Sequence, residues 1–587
     1  MLPAAERVPP RPRPLASRPT RRVRSAALAV LLALAAVSCG GERRRHDDTA
    51  QLTDASTAAA PTRGYVVISI DTLRADHLGC YGYAKPTSPF LDELARRGTL
   101  FEEAYAQYPS TLVSHMSMFT GLYPREHGVI AADAVLAPQI ESLPEVFQRA
   151  GFRTAGFTEG GYVSGRYGFR RGFDTFVARD RAGERPLART FARGVEFLAG
   201  LPAGARFFLF LHTYAVHSPY DAPERYRLPF WPGPPPAGGI DGTPFALNSA
   251  NATEQELSPA AIEYVSALYD AGIRETDETL RRFFAELARL GLAGDTTVVV
   301  TSDHGEELRD HGRFHHTQLY REVLRVPLIV VHPRRSGGVR QRAIVQLVDL
   351  APTLYDLAGL RPKEKTSGVS RAGLVGTPAP AAEGSAWAEG ETGERALYRA
   401  HGGAVESLLL FDPPAESWTS RSLSFDIAPG PGGGELAFEA RAFGNARQLR
   451  VSGPAGAPYA QRIATEWTPV RLPLAAAGRV RLEVDGCAAP PGAKRRDALC
   501  YGFQLRGLRP VRMELYDLAA DPAQRHDLAR TRGDASRRLA RDLLAFRPRP
   551  RAGAVESPLD AELAAQLEAL GYAGQVRAAK GASGGRR

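Results

Sequence analysis

The chain has 587 residues, 44% of them hydrophobic, which is enough for one large domain and a smaller one beside it. Its formal charge of +10 sits at the two ends: residues 1–38 hold seven Arg against Glu6, and residues 572–587 add Arg577, Lys580, Arg586 and Arg587 with no acid. The body between them is neutral, which argues against a nucleic-acid surface built on the fold itself.

In chain order, Arg18, Arg21, Arg22 and Arg24 precede the twelve-residue apolar run Ala26–Val37. The run is too short to cross a bilayer and positive charge comes before it, so residues 1–38 read as an export signal. The run leads into Ala36-Val37-Ser38-Cys39-Gly40. This is similar to the lipobox of bacterial lipoproteins, where the chain is cut before the Cys and that Cys is lipidated. The resemblance implies export to the bacterial cell envelope and a lipid anchor at Cys39; an ordinary cleaved signal is the alternative. Residues 39–62 are polar and Ala/Thr-rich, as in a flexible tether. No later apolar stretch reaches about 18 residues, so no integral span is expected.

From residue 65 onward, apolar runs alternate with helical patterns. Strands are predicted at 65–70, 153–157, 206–211, 297–301 and 327–331, and helices at 88–98, 112–120, 140–150, 259–290 and 348–358. The alternation predicts an α/β fold, a mostly parallel doubly wound sheet with its site beyond the carboxyl ends of the strands. The texture changes after about 375: residues 376–404 read as a linker and 405–510 as a β-rich inserted module of sandwich type, with short strands between Gly and Pro. Residues 511–587 return to the α/β style and end in a basic helical tail. Cys80 reads as a small buried filler. Cys487 and Cys500 bracket a short loop, and the sequence leaves a disulfide between them open.

Asp71 ends one predicted strand, Asp303-His304-Gly305-Glu306 follows another, and His212 and His217 follow a third; His311, His315 and His316 share one short loop. Carboxylates and imidazoles gathered at strand ends are what a divalent cation requires. Ser110-Thr111 opens a helical stretch that runs to Thr120-Gly121. A hydroxyl there lies at the positive end of the helix dipole, which suits an anionic transition state; the plainer alternative is a helix cap.

These residues sit in a set of motifs that resembles the sulfatase family of the alkaline phosphatase superfamily. Val66-Val67-Ile68-Ser69-Ile70-Asp71 resembles its first metal-binding strand. Thr111–Gly121 with Leu122-Tyr123-Pro124 and His127-Gly128 resembles its signature segment. His217-Ser218-Pro219-Tyr220 and Thr301-Ser302-Asp303-His304-Gly305-Glu306 resemble two further site segments, and the likeness covers about 63–375 and 511–572. The resemblance implies a hydrolase of sulfate or phosphate esters that uses one or two divalent ions (calcium, zinc or manganese) and takes an anionic ester, carbohydrate- or lipid-linked, as substrate. Asp71, Asp303, His304 and Thr111 are its implied metal-binding residues. Thr111, His115, His217 and His316 are its implied catalytic residues, and Thr72, His212, Asp221, His311 and His315 are further candidates.

The sequence departs from the family in ways that change the chemistry. Thr111 stands at the position of the Cys or Ser that sulfatases oxidise to an aldehyde. A Thr carries a methyl on Cβ, so the same oxidation yields a ketone. Val113 and His115 replace the motif's Pro and Arg, and Thr72 replaces the second Asp of the first strand. A Thr nucleophile resembles the phosphodiesterase and phosphotransferase branches of the superfamily, which points to phosphorus. Two alternatives remain: an envelope phosphotransferase, and a non-catalytic envelope binding protein. For the inserted module, a carbohydrate platform of Trp418, Trp467 and Tyr459 stands against a purely structural role.

Overall fold

The computed structural model describes residues 61–572 apart from interruptions, the longest at 179–185 and 486–502. The expected signal, nearly all of the tether, Cys39, Trp467, Cys487, Cys500 and the side chains of Trp418 and Tyr459 lie outside the described residues.

The core is an eight-stranded sheet: β1 (Gly64–Ile70), β2 (Thr99–Tyr105), β3 (Arg153–Phe157), β4 (Thr175–Val177), β5 (Phe207–Thr213), β6 (Thr296–Thr301), β7 (Arg325–Val331) and β8 (Val339–Gln346). Their spatial order is β8-β2-β7-β6-β1-β5-β3-β4. β7 alone runs against the other seven. It also holds Pro327, which sits where the register with β2 shifts, one of the few places a sheet accepts a residue without N–H.

Both faces of the sheet are covered, as the near-continuous apolar strands require. Along β1, Tyr65 and Val67 join one core, while Val66, Ile68 and Ile70 join the other. β5 alternates in the same way, Phe208 and Phe210 against Phe207, Leu209 and Leu211. Helices α1 (Pro89–Arg97), α4 (Pro186–Ala199) and α5 (Pro259–Arg289) cover one face, and α2 (Thr111–Thr120), α3 (Leu143–Arg149) and α6 (Leu350–Ala358) the other. Each large apolar side chain buried this way contributes about 1.5–3 kcal/mol.

The structure adds elements that the sequence reading lacked, strand β4 and helix α4 among them, and differs from it in three further places. β2 and β8 are strands that the pattern did not show, because Glu102 and Glu103 interrupt one and Arg340 and Arg342 alternate along the other. Glu102 pairs with Arg340 and Glu103 with Arg321, so the sheet edge satisfies those charges. Second, the 376–404 segment is not a bare linker. Ser385–Glu389 and Arg395–His401 are strands in a four-stranded antiparallel sheet with Ala404–Phe411 and Arg512–Asp517. One face of that sheet joins the main core through Tyr398 and Leu409, and the other is covered by α7 (Gly533–Ala545) through Leu539 and Leu543. Third, the inserted module therefore begins later, at Trp418. It forms two four-stranded antiparallel sheets, with Ala440 and Val470 buried on one and Leu449, Ile463 and Val484 on the other. Cys80 is half-buried against the main core. Among the described residues, no helix is long and apolar enough to cross a membrane.

Asp277 on α5 ties two helices together. Its carboxylate accepts the amides of Phe90 and Leu91 at 3.0 and 2.8 Å, capping the start of α1. Burial pushes its pKa up from 3.8 to about 6. The folded value lies above the unfolded one, so stability is highest below pH 4 for this group and falls as pH rises through 4 to 6. Asp277→Asn removes that slope. Unfolding midpoints measured between pH 4 and 7 are expected to move in the variant's favour, relative to wild type, by up to about 2–3 kcal/mol; parallel profiles refute this.

Candidate active site

β1, β5 and β6 are adjacent, with Ile70 opposite Thr213 and Ser69 opposite Thr301. Chain leaving β1 and β6 therefore emerges at the same carboxyl edge, which is where the sheet places Asp71 and Ser302-Asp303-His304. The Asp71 amide donates to the Thr213 carbonyl at 3.0 Å, fixing the turn. Thr72 follows with a φ of 55°, a left-handed conformation costly for a β-branched residue. That conformation accompanies a contact of its amide with Asp303 Oδ1 at 3.3 Å, while its hydroxyl donates to the Asp71 carbonyl. The Thr72 hydroxyl is thus spent on backbone, unlike a second carboxylate at that position.

Thr111 is the first residue of α2. The helix cap is Ser110, whose side chain makes no capping bond, so neither hydroxyl plays the plain capping role. Thr111 Oγ1 instead lies 3.4 Å from His304 Nε2. Asp71, Asp303 and His304 each present a ligand atom within 4.8 Å of the others, and all three are fully buried.

The electrostatics of this group are unbalanced. Two carboxylates lie close together away from water, and among the described residues no Lys or Arg pairs with either; their ion-pair neighbours are His212, His115 and His304. Burial, then the charge of Asp303, pushes the Asp71 pKa well up, and burial also raises that of Asp303. Asp71 Oδ1 and Asp303 Oδ2 receive no well-aligned hydrogen bond. His304 Nδ1 donates to the Gly305 carbonyl at 2.9 Å, which leaves the Nε2 lone pair facing inward, and burial lowers this imidazole's pKa to about 3. Orphaned buried carboxylate oxygens beside a free imidazole lone pair fit a divalent cation, so these residues suit the metal that the motifs imply.

The surrounding histidines act on this group. His115 Nδ1 donates to the Thr111 carbonyl at 2.8 Å and lies 3.4 Å from Asp303 Oδ2, with Ser69 on its other nitrogen at 2.9 Å. It ties the start of α2 to the end of β6. His212 Nε2 contacts Asp71 Oδ2 at 3.2 Å and orients that carboxylate. Beside Thr111 sits a residue the sequence reading missed: the Tyr572 hydroxyl, 3.1 Å from His217 Nε2, 3.2 Å from His316 Nε2 and 3.4 Å from Thr111 Oγ1. Its only sequence signal is an aromatic just after a helix-ending Gly571, which carries no chemistry by itself. Glu306 was also missed as a site residue; it is fully buried, and burial drives its pKa well up. Gly305 permits that segment, because a Cβ there would lie 1.9 Å from the Glu322 carbonyl.

Three candidates fall outside the cluster. His311 stacks on Tyr320 at 3.5 Å and bonds Glu322 at 2.6 Å, a structural pairing. Asp221 is exposed, so it supplies no buried second carboxylate. His315 is half-buried, with a φ of 75° and an Nε2 that has no partner.

A family profile for sulfatases matches residues 63–360. An arylsulfatase of Clostridium perfringens is 24% identical over 379 residues, covering 53% of this chain and 78% of that protein. Among solved structures, a phosphonate monoester hydrolase of Agrobacterium radiobacter is similar with a TM-score of 0.52 and 19% identity, covering 83% of this chain and 95% of that one. A structure bound to its substrate D-glucosamine-2-N,6-O-disulfate is similar with a TM-score of 0.51 and 15% identity, covering 82% and 97%. At these identities the two structures establish the fold.

The unbalanced charge makes a signed prediction. Asp71→Asn and Asp303→Asn should each lower divalent-metal affinity more than ~10²-fold, read by elemental analysis after dialysis. Each should also raise the thermal midpoint of the chelator-stripped protein, since one of two repelling buried charges is gone. A lower midpoint in stripped protein for both variants would mean the carboxylates are already balanced by the protein.

Proposed function

The chain belongs to the sulfatase family, and we propose that it hydrolyses small anionic esters with Thr111 as nucleophile, phosphate esters in preference to sulfate. The observation that carries this reading is the placement of Thr111 Oγ1, unused by helix capping, against His304 in a buried group with Asp71 and Asp303. A divalent cation held by Asp71, Asp303, His304 and Thr111 Oγ1 supplies a lowered hydroxyl pKa and compensation for charge on the transferred group. Two carboxylates, an imidazole and a hydroxyl suit zinc or manganese better than calcium, which takes about six to eight oxygens.

The chain's own residues do the rest. Thr111 opens α2, so the positive end of the helix dipole lies beside the transferred group. Thr111 Oγ1 bonds to phosphorus as the bond from phosphorus to the ester oxygen breaks. The hydroxyl proton leaves Thr111, and the departing oxygen takes up one proton. Water then splits the Thr111 ester, which restores the hydroxyl and releases the phosphate product. The burial of Thr111, His304 and Asp303 keeps bulk water away from the first step. Sulfur fits less well: a sulfated Thr lacks the elimination route that a geminal diol provides to family members with an oxidised Cys or Ser.

The substrate class is tested on aryl phosphate diesters, monoesters, phosphonate monoesters and aryl sulfates, with zinc, manganese or calcium. Turnover of a phosphorus ester is expected, with Thr111→Ala losing at least ~10³-fold in kcat and Thr111→Ser retaining part of it. Acid quenching should trap phosphate on Thr111. Turnover of sulfates alone would reverse the preference. We further propose export and anchoring through Cys39: Cys39→Ala is expected to move the protein from membrane to soluble envelope fractions, and an unchanged membrane fraction would argue for another attachment.

A further inference from the structure

We propose that Tyr572 is a catalytic residue, whose hydroxyl donates a hydrogen bond to a non-bridging oxygen of the group transferred to Thr111. The proposal rests on the reading of Thr111 as nucleophile. Tyr572 lies 461 positions from Thr111 in sequence, yet its hydroxyl is 3.4 Å from Thr111 Oγ1.

The segment that brings it there is well held. Asp560 caps α8 (Ala561–Ala569) by accepting the Leu563 amide at 2.8 Å. Leu563, Ala564 and Leu567 are buried in the main core, so the helix is docked to the body. Gln566 accepts the Gly161 amide at 3.2 Å and fixes its rotation. Gly571 then turns the chain with a φ of 94°, and a Cβ there would come within 3.0 Å of Pro244. The Tyr572 ring packs edge-on against Tyr162 at 4.7 Å, which leaves the hydroxyl aimed at the nucleophile.

The direction of its hydrogen bond follows from its neighbours. His217 Nδ1 donates to the Ser218 carbonyl at 2.5 Å and His316 Nδ1 to the Pro109 carbonyl at 3.1 Å. Each Nδ1 thus carries the ring proton of the neutral imidazole, so both Nε2 atoms facing Tyr572 are lone pairs. The phenol must be the donor, and its single proton cannot serve two acceptors. It is poised between them, held in position and free to turn to a stronger acceptor. An incoming anionic oxygen is that acceptor. At 3.4 Å from the attacking oxygen, the hydroxyl is within reach of the oxygens of a group transferred to it, where it stabilises developing charge. Among the described residues, no Arg or Lys bonds to Thr111, His217 or His316, so this phenol holds the place beside the nucleophile.

Tyr572→Phe removes the hydroxyl and keeps the ring against Tyr162. Full-length wild type and variant are compared for metal content, unfolding midpoint, kcat and KM on an ester that wild type turns over, and dissociation constant for orthovanadate, which mimics the five-coordinate transferred group. Expected are an unchanged metal content and midpoint, kcat lower by about 10²-fold with KM little altered, and vanadate bound correspondingly more weakly. Equal kcat and equal vanadate affinity overturn the proposal. So does a gain in both, which would make the phenol a plug over Thr111, and so does wild type that binds no vanadate. A wild type that hydrolyses no ester, yet binds vanadate in a Tyr572-dependent manner, would sink the hydrolase reading and leave the anion contact standing.

Discussion

Two carboxylates held within a few ångströms of each other in a dry interior define the energetic problem of this protein. Asp71 and Asp303 are fully buried, no Lys or Arg pairs with them among the described residues, and each has a carboxylate oxygen without a well-aligned donor. A buried charge without compensation costs several kcal/mol, and two of like sign cost more. The folded body must supply that energy, which a divalent cation held among Asp71, Asp303 and His304 would offset.

The rest of the architecture meets that cost. The eight-stranded sheet is covered on both faces, so β1, β5 and β6 are rigid where they end. His115 and His212 use their ring nitrogens to hold the start of α2 and the Asp71 carboxylate. Thr72 takes an unusual backbone conformation and gives its amide to Asp303. The C-terminal segment, after the inserted sheets, comes back to the site and places the Tyr572 hydroxyl 3.4 Å from Thr111 Oγ1. Strain and burial collect at the site, and apolar packing elsewhere offsets them.

The site was legible to the extent that its residues lie in motifs with recognisable spacing. Asp71, Asp303, His304 and Thr111 each follow or precede a clear element, and the structure brings all four together. His217 and His316 were legible as site residues, though not as partners of a phenol. His311 was a false lead of the same kind: it shares a loop with His316, but a ring stacked on Tyr320 decides its orientation, and no local pattern encodes that. Asp221 failed because it is exposed, a property set by the surrounding fold. Strands β2 and β8 were hidden by charged residues whose partners lie across the sheet, such as Glu102 with Arg340.

What the sequence determined by itself is local and periodic. Continuous apolar runs called for a buried parallel sheet, alternating short segments for antiparallel β structure, and a Thr where the family's motif has Cys or Ser for a side chain that cannot become an aldehyde. These follow from side-chain chemistry and from the periods of strand and helix, which a few neighbouring residues express. What only the tertiary structure decided is which distant groups share a dry volume and which atoms face inward. Tyr572 meets Thr111 because α8 docks through Leu563, Ala564 and Leu567 and Gly571 turns the chain. Contacts across hundreds of residues depend on packing summed over the whole core, and that sum has no short-range signature in the chain.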